Sequence, residues 1–265
     1  MRIATWNINS VRLRQDIVLK LIDDHAPDVI CLQETKVVND LFPAAPFEEK
    51  GYKHIAISGM KAYNGVAILS RLPVESWEPR DWCGKSDCRH VIANLPGGIE
   101  LHNFYIPSGG DVPDPDVNDK FAHKLQFVDE MAAWWPAERS TDAKMIAVGD
   151  FNIAPLETDV WSHKQLLDVV SHTPIEVEKL TAMQGSIGWI DAVRYFIPAE
   201  EKLYSWWSYR ARDWRASNRG RRLDHVWVTP PLVGSLKKAE ILVDARGWEP
   251  KPSDHVPVIV DLDHD

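Results

Sequence analysis

Cysteine is scarce in this chain: three residues, Cys31, Cys83 and Cys88, among 265. An odd number of thiols makes a poor disulfide framework, and a chain of this length buries enough surface to fold without staples. No second Cys or His pair is spaced to complete a zinc site with Cys83 and Cys88, so the thiols read as structural. Long apolar runs are also missing. No stretch approaches the roughly 18 residues of a membrane span. Met1-Arg2-Ile3-Ala4-Thr5-Trp6-Asn7 holds no apolar segment of the signal-peptide kind, so a protein that stays inside the cell, without a membrane partner, is expected. Positive charge is in short supply, with 30 Lys and Arg against 39 Asp and Glu. The net charge of −9 looks wrong for a nucleic-acid protein until its distribution is considered. Gly-x-x-x-x-Gly-Lys-Ser/Thr and Gly-x-Ser-x-Gly are both absent, so nucleotide-triphosphate switching and serine hydrolysis lack their motifs.

What is present reads as a folded α/β protein. Short Val- and Ile-rich runs bounded by Gly, Pro or Asn predict strands over 2–8, 29–33, 54–58, 66–70, 90–95, 100–106, 144–151, 223–229, 240–243 and 256–262. Leu13, Ile17, Val18, Leu21 and Ile22 predict one amphipathic helix, stopped by Pro27. Phe121, Leu125, Val128, Ala132 and Trp135 predict another, before Pro136. Strands outnumber interspersed helices, so the expectation is two packed sheets covered by helices. The loop Gly109–Pro115 is too short for a linker and no repeat is visible, leaving one domain over residues 1–265.

One segment reverses the acidic average. From Tyr209 to Asp224, Arg210, Arg212, Arg215, Arg219, Arg221 and Arg222 stand against Asp213 and Asp224, a local charge of +4. Trp206, Trp207, Tyr209 and Trp214 interleave these arginines, as on a surface for an anionic partner, and one of Trp206 and Trp207 is expected in the core.

Polar residues gather at the strand ends: Asn7 and Asn9, Gln33-Glu34-Thr35-Lys36, Asp150 and Asn152, Asp224-His225, and Asp254-His255. Residues two apart on a strand share a face, so Asn7 with Asn9 and Asp150 with Asn152 are expected to project together. Any one of them could be a turn cap, but five clusters at five strand ends point to a shared site. Glu34, Asp150, Asp224 and Asp254 are hard oxygen donors without a thiolate, which suits Mg²⁺ or Mn²⁺ over Zn²⁺. Asn7, Asn9, Tyr105, Asn152 and His255 add donors for phosphate oxygens. Together they describe metal-assisted phosphodiester hydrolysis.

Thr5-Trp6-Asn7-Ile8-Asn9, Leu32-Gln33-Glu34-Thr35-Lys36, Val148-Gly149-Asp150-Phe151-Asn152-Ile153, Asn218-Arg219-Gly220-Arg221-Arg222-Leu223-Asp224 and Lys251-Pro252-Ser253-Asp254-His255-Val256-Pro257 resemble, in order and spacing, the motif set of the exonuclease III family of abasic-site endonucleases. The resemblance spans essentially the whole chain. It implies a four-layer α/β sandwich of two mixed sheets flanked by helices, the endonuclease/exonuclease/phosphatase fold. It implies incision of duplex DNA 5′ to abasic sites, with 3′→5′ exonuclease activity and cleaning of 3′ ends. It implies a Mg²⁺ (or Mn²⁺) cofactor held mainly by Glu34, with Asn9 and Asp254 near the ion. Asp150 would hold or deprotonate the attacking water, and Asn7, Asn152, Tyr105 and His255 would contact the scissile phosphate, with Asp224 orienting and charging His255. Arg89, Lys120, Arg210 and Asn218 become candidate contacts to DNA phosphates. Trp206 and Leu223 would wall an abasic pocket, in which Arg221 departs from the Trp or Leu of many relatives. Mutual repulsion among the arginines favours Arg221 swinging out to a DNA phosphate over stacking on Trp206. A monomer with a cytoplasmic, nucleoid-associated location of the bacterial type is expected. A phospholipid or phosphoinositide phosphodiesterase of the same superfamily is the rival reading. A catalytically dead binding module is a third, and the filled ligand positions argue against it.

Overall fold

In the computed structural model, residues 1–263 are described. The strands are β1 (Arg2–Asn7), β2 (Val29–Gln33), β3 (His54–Ser58), β4 (Val66–Ser70), β5 (Ser76–Pro79), β6 (His90–Leu95), β7 (Ile99–Tyr105), β8 (Met145–Asp150), β9 (Ile190–Asp191), β10 (Trp206–Trp207), β11 (Gly220–Arg221), β12 (Asp224–Val228), β13 (Leu236–Ile241) and β14 (Val258–Leu262). The helices are α1 (Val11–His25), α2 (Ala44–Glu49), α3 (Asp119–Glu138), α4 (His163–Leu166), α5 (Pro174–Gly185), α6 (Trp214–Ser217) and α7 (Pro230–Val233). Two six-stranded sheets run in the orders β13-β14-β1-β2-β4-β3 and β5-β6-β7-β8-β12-β9, and β10-β11 form a separate ribbon. Each large sheet holds one parallel pair, β1 with β2 and β7 with β8. A helix, α1 or α3, makes each crossover, as a parallel connection requires.

Side-chain alternation explains the layering. Ile3, Val29 and Cys31 point inward and meet Val91, Leu101, Val148 and Val226 of the opposite sheet. Ala4, Trp6, Ile30 and Leu32 point outward and are covered by Ile17, Val18, Leu21 and Ile22 of α1. On the other side Phe127, Val128 and Met131 of α3, with Leu180 and Met183 of α5, cover Phe104, Ala147 and Trp227. Because most central strands are buried on both faces, they read in the sequence as continuous apolar runs. The four layers expected from the resemblance are present.

Several local expectations need correction. Leu13 is exposed rather than part of the α1 stripe, because the helix is kinked at Arg14 (φ −126°, ψ 19°). The buried face takes Arg14 instead, whose guanidinium donates to the Ile8, Asn9 and Pro252 carbonyls and to the Tyr209 hydroxyl. Pro136 does not end α3 but lies inside its last turn, ahead of Glu138. Of the strand expected over 240–243, only Glu240 and Ile241 are extended, as the end of the longer β13, and Val243 opens a 3-10 turn.

Candidate active site

Strand pairing sets the central side chains side by side at one end of the sandwich. Tyr105 closes β7 opposite Asp150, which closes β8, and Asp150 faces Asp224 at the start of β12. Gly149 permits this close approach: a Cβ there would lie 2.0 Å from the Phe104 carbonyl oxygen. From the other sheet, β1 delivers Asn7, and its amide donates to both Glu34 Oε1 and Asp150 Oδ2 at 2.8 Å. That one amide joins the two halves of the site.

Asn9 and Asn152 reach the cluster differently from the strand alternation expected. Both lie past their strand ends with positive φ, 47° and 54°, as does Glu34 at 51°. Such turns are sparsely populated for side-chain-bearing residues and are held by their surroundings. Asn9 N–H donates to Asn7 Oδ1, and its side-chain amide donates to Asp254 Oδ1 at 3.2 Å. The Asn152 amide donates to Asp150 Oδ2 at 3.1 Å and to the Ile106 carbonyl at 2.9 Å.

His255 sits between two acids, with Nδ1 2.8 Å from Asp224 Oδ2 and Nε2 3.5 Å from Asp150 Oδ2. Burial opposes its charge, but Asp224 first and then Asp150 outweigh burial and raise its pKa to about 10. The imidazolium is the stable form. Burial pushes Asp150 the other way, up to about 7, with Asp224 and Glu34 adding repulsion against the pull of His255. Tyr105 is held well above its ordinary value, by burial and then by Glu34 and Asp150, so its hydroxyl keeps its proton. Asp254 lies low despite its burial, because His255, Asn9 and Trp206 favour its charge.

Two groups of oxygens could receive a cation. Asp150, Asp224 and His255 offer atoms within 4.8 Å of one another. Both His255 nitrogens face carboxylates, however, so that group is an ion-paired line and not a ligand set. Glu34 Oε2 and Asn9 Oδ1 instead converge on a cation already: Lys36 Nζ lies 2.7 and 2.6 Å from them. Asp254 is tied to the same cluster through Asn9. Hard oxygens gathered about a positive charge fit a small divalent ion.

A cavity of about 600 Å³ opens beside this cluster, lined by Glu34, Tyr105, Asn152, Asp254 and His255. Trp206, Arg221 and Leu223 line it too, with Val170 and Ser171. Trp206 donates its indole N–H to Asp254 Oδ2 at 3.1 Å, whereas Trp207 is buried in the core. Arg221 does not swing outward: Nη1 donates to the Val170 carbonyl and Ser171 Oγ, and the guanidinium carbon lies 5.2 Å from the Trp206 ring centre. Arg222 is also turned inward, paired with Asp159 and Asp191. Four of the six arginines therefore remain on the surface. Among them, Arg210 lines the mouth of the cavity and Arg219 lies over Trp161.

Of the other proposed contacts, Arg89 lies over the Tyr105 ring and donates to its carbonyl. Lys120 is exposed in the first turn of α3, and Asn118 caps that turn. Asn218 is exposed at the end of α6, its side-chain oxygen engaged by the Trp207 indole.

Sequence reading missed three supporting residues. Lys36 is one, although it closes the Gln-Glu-Thr-Lys motif. Ser205 is another: Oγ donates to Asp224 Oδ2 at 2.7 Å and accepts from the Leu223 and Asp224 N–H groups. The third is Lys124, fully buried, which donates to the Asn152 carbonyl at 2.8 Å and pairs with the equally buried Glu176. Breaking a buried pair strands a charge, so Lys124→Met should lower the unfolding free energy by about 3–5 kcal/mol. Adding Glu176→Gln should recover part of that loss. Urea unfolding of the three variants measures both, and a single variant within ~0.5 kcal/mol of the parent would show the pair to be dispensable.

Residues 4–255 match the Endonuclease/Exonuclease/phosphatase family. The chain is 29% identical over 269 residues to Exodeoxyribonuclease III of Haemophilus influenzae, with 97% of this chain and 98% of that protein covered. It is similar at 31% identity and a TM-score of 0.91 to the structure of an AP endonuclease from Archaeoglobus fulgidus, with both chains fully covered. A 3′ phosphatase from Neisseria, bound to a product DNA hairpin, is similar at a TM-score of 0.90 and 31% identity, again over the whole of both chains. The chain belongs to the endonuclease/exonuclease/phosphatase family, in its exonuclease III branch of DNA-repair nucleases.

Proposed function

We propose that this protein hydrolyses DNA phosphodiesters at abasic sites, incising 5′ to the lesion, and uses the same site for 3′→5′ exonuclease action and 3′-end cleaning. It acts as a monomer, one domain over residues 1–265, in a cytoplasmic, nucleoid-associated location, with Mg²⁺ or Mn²⁺. The observation that carries the reading is the Asp224–His255–Asp150 line beside the Glu34–Asn9 oxygens, with His255 and Glu34 both lining one cavity.

Glu34 would hold the ion, with Asn9 and Asp254 alongside. Once bound, a hard divalent cation stabilises the charge that develops on the phosphate and the departing oxygen. The chain's own groups do the rest. The Asp150 carboxylate orients the attacking water and takes its proton. The His255 imidazolium and the neutral Tyr105 hydroxyl donate to phosphate oxygens, together with the Asn7 and Asn152 amides. The surface arginines near α6, with Arg89 and Lys120, supply backbone-phosphate contacts, and Trp206 and Leu223 receive the extruded sugar.

The deciding experiment offers a duplex carrying one abasic site and a phosphoinositide in parallel, in Mg²⁺ buffer. Incision of the duplex with a new 3′-hydroxyl is expected, and the lipid headgroup should be left intact. Lipid cleavage with uncut DNA would overturn the reading. On the same duplex, Glu34→Gln should raise the half-saturating Mg²⁺ concentration about 10- to 100-fold while leaving the circular dichroism spectrum unchanged. An unshifted metal titration would remove Glu34 from the ligand set.

A further inference from the structure

Resting on that reading, we propose that Lys124 is a positioning residue for the hydrolysis: its buried ammonium sets the turn that carries Asn152, and through that turn the Asp150 carboxylate, while Glu176 balances the charge.

Lys124 comes from α3, outside the strands that build the site, and its side chain is fully buried. Its ammonium has three protons and three acceptors: Glu176 of α5, the Asn152 carbonyl at 2.8 Å and the Ser108 carbonyl at 3.3 Å. The two carbonyls belong to the turns that leave β8 and β7, just after Asp150 and Tyr105. One donor group thus ties together two turns whose side chains work on the scissile phosphate. The stem is confined as well, since a Cβ on Gly109 would lie 2.9 Å from Lys124 Cδ.

The Asn152 turn needs such a hold, because its φ of 54° is sparsely populated for a residue with a side chain. In that conformation the Asn152 N–H donates to Asp150 Oδ1 at 2.9 Å, and its side-chain amide donates to Asp150 Oδ2 at 3.1 Å. Both oxygens of the base therefore take their direction from residue 152. Among the described residues, only Lys124 donates to the buried Asn152 carbonyl. Without a donor, that carbonyl becomes an unmet buried acceptor, and the turn shifts to reach another partner. Such a shift moves the Asn152 amide and the base together, and a misplacement of about 1 Å can slow a reaction about 100-fold. Stability alone does not account for the ammonium. Glu176 already receives the Ser171 and Thr173 N–H groups and the Thr173 hydroxyl, and buried ion pairs add little over apolar residues of like volume.

The test crosses Lys124→Met with Glu176→Gln in the full chain. Single-turnover rate on an abasic duplex, DNA affinity and urea midpoint are read for the four proteins. Glu176→Gln leaves a nitrogen on both carbonyls while stranding its charge, so the midpoint should fall and the rate should stay near the parental value. Lys124→Met should lower both, the rate by about 10- to 100-fold, with DNA affinity unchanged because residue 124 lies out of the substrate's reach. The double variant decides: its midpoint should recover in part, and its rate should stay as low as that of Lys124→Met. A pair that only held the fold together cannot separate the two readouts in this way. Should Lys124→Met alone not fold, the uncharged double variant makes the same comparison against Glu176→Gln. A rate that recovers with the midpoint overturns the proposal, as does an equal loss of rate in Glu176→Gln. A parent that leaves the abasic duplex uncut would instead overturn the nuclease reading on which the proposal rests.

Discussion

Asp150→Asn lowers kcat on an abasic duplex by roughly 10³- to 10⁴-fold, while DNA affinity holds or improves. Asparagine keeps the shape of the carboxylate and can still meet the Asn7 and Asn152 amides in part, but it cannot take a proton from water. A buried negative charge leaves the cleft with the substitution, so an anionic substrate binds at least as well. Rapid-mixing single-turnover rates and equilibrium DNA binding separate the two effects. The pH profile gives an independent signature. Burial raises Asp150 to about 7, so the free site loses its base as pH falls through that value, and kcat/KM should decline on the acid side. A cation placed beside it favours the carboxylate and moves that limb to lower pH as metal saturates. His255, raised to about 10, keeps its proton over the neutral range, so no alkaline limb from this group should appear below that value. The Asn variant should lack the acid limb altogether. A variant with parental kcat, or with an unchanged acid limb, would place the base elsewhere.

His255→Ala is expected to cost about 10²- to 10³-fold in kcat, the usual size of losing one strong donor to a developing oxyanion. Asp224→Asn should cost nearly as much, although Asp224 touches no substrate. Its carboxylate, held by the Ser205 hydroxyl, is the foremost influence keeping the imidazole charged. Without it, His255 keeps Asp150 across 3.5 Å and the charge of Asp254, and titrates closer to neutrality. The double variant should therefore be about as slow as His255→Ala alone. Asp224→Asn should also become pH-sensitive near neutrality, where the parent is flat on that account. Losses that simply multiply would mean that the two residues act independently.

The positions most legible in the sequence are those where a polar residue breaks an apolar strand. Asn7, Asp150 and Asp224 could be found that way because β1, β8 and β12 are buried on both faces, so any polar residue at their ends stands out. Trp206 and Trp207 were separable only as one wall and one core residue, and the ribbon they form carries too few residues to show a period. Strand β5 escaped notice because all four of its residues are exposed at a sheet edge, leaving no apolar signal. Helix α5 does announce itself locally: Thr173-Pro174-Ile175-Glu176 is a capping box with proline at the first helical position. Arg221 and Arg222 look alike on paper and differ because Asp159 and Asp191, remote in sequence, meet only one of them. Lys36 stands in the Gln-Glu-Thr-Lys motif without showing there that it meets Glu34 and Asn9, and Lys124 carries no signal at all. Lysine is ordinarily a surface residue, and only tertiary packing reveals that these two fill polar positions.

Strand β1 lies between β2 and β14, the strand farthest from it in the sequence. Its ladder to β14 runs from Arg2 opposite Asp261 to Thr5 opposite Val258, and the terminal amine donates to the Leu262 carbonyl. A ribosome-bound chain that has yet to extrude residues near 260 can pair β1 with β2 but leaves its other edge bare. It also lacks His255 beside Asp150. At 5–20 residues per second, the stretch from the end of β2 to the start of β14 takes about 11 to 45 s to make, and the longest-range contacts close last. A nuclease assembled in this order cuts nothing until the segment that carries His255 has been made. Its exposed β1 edge makes the nascent chain, rather than the finished protein, the form most in need of chaperone cover.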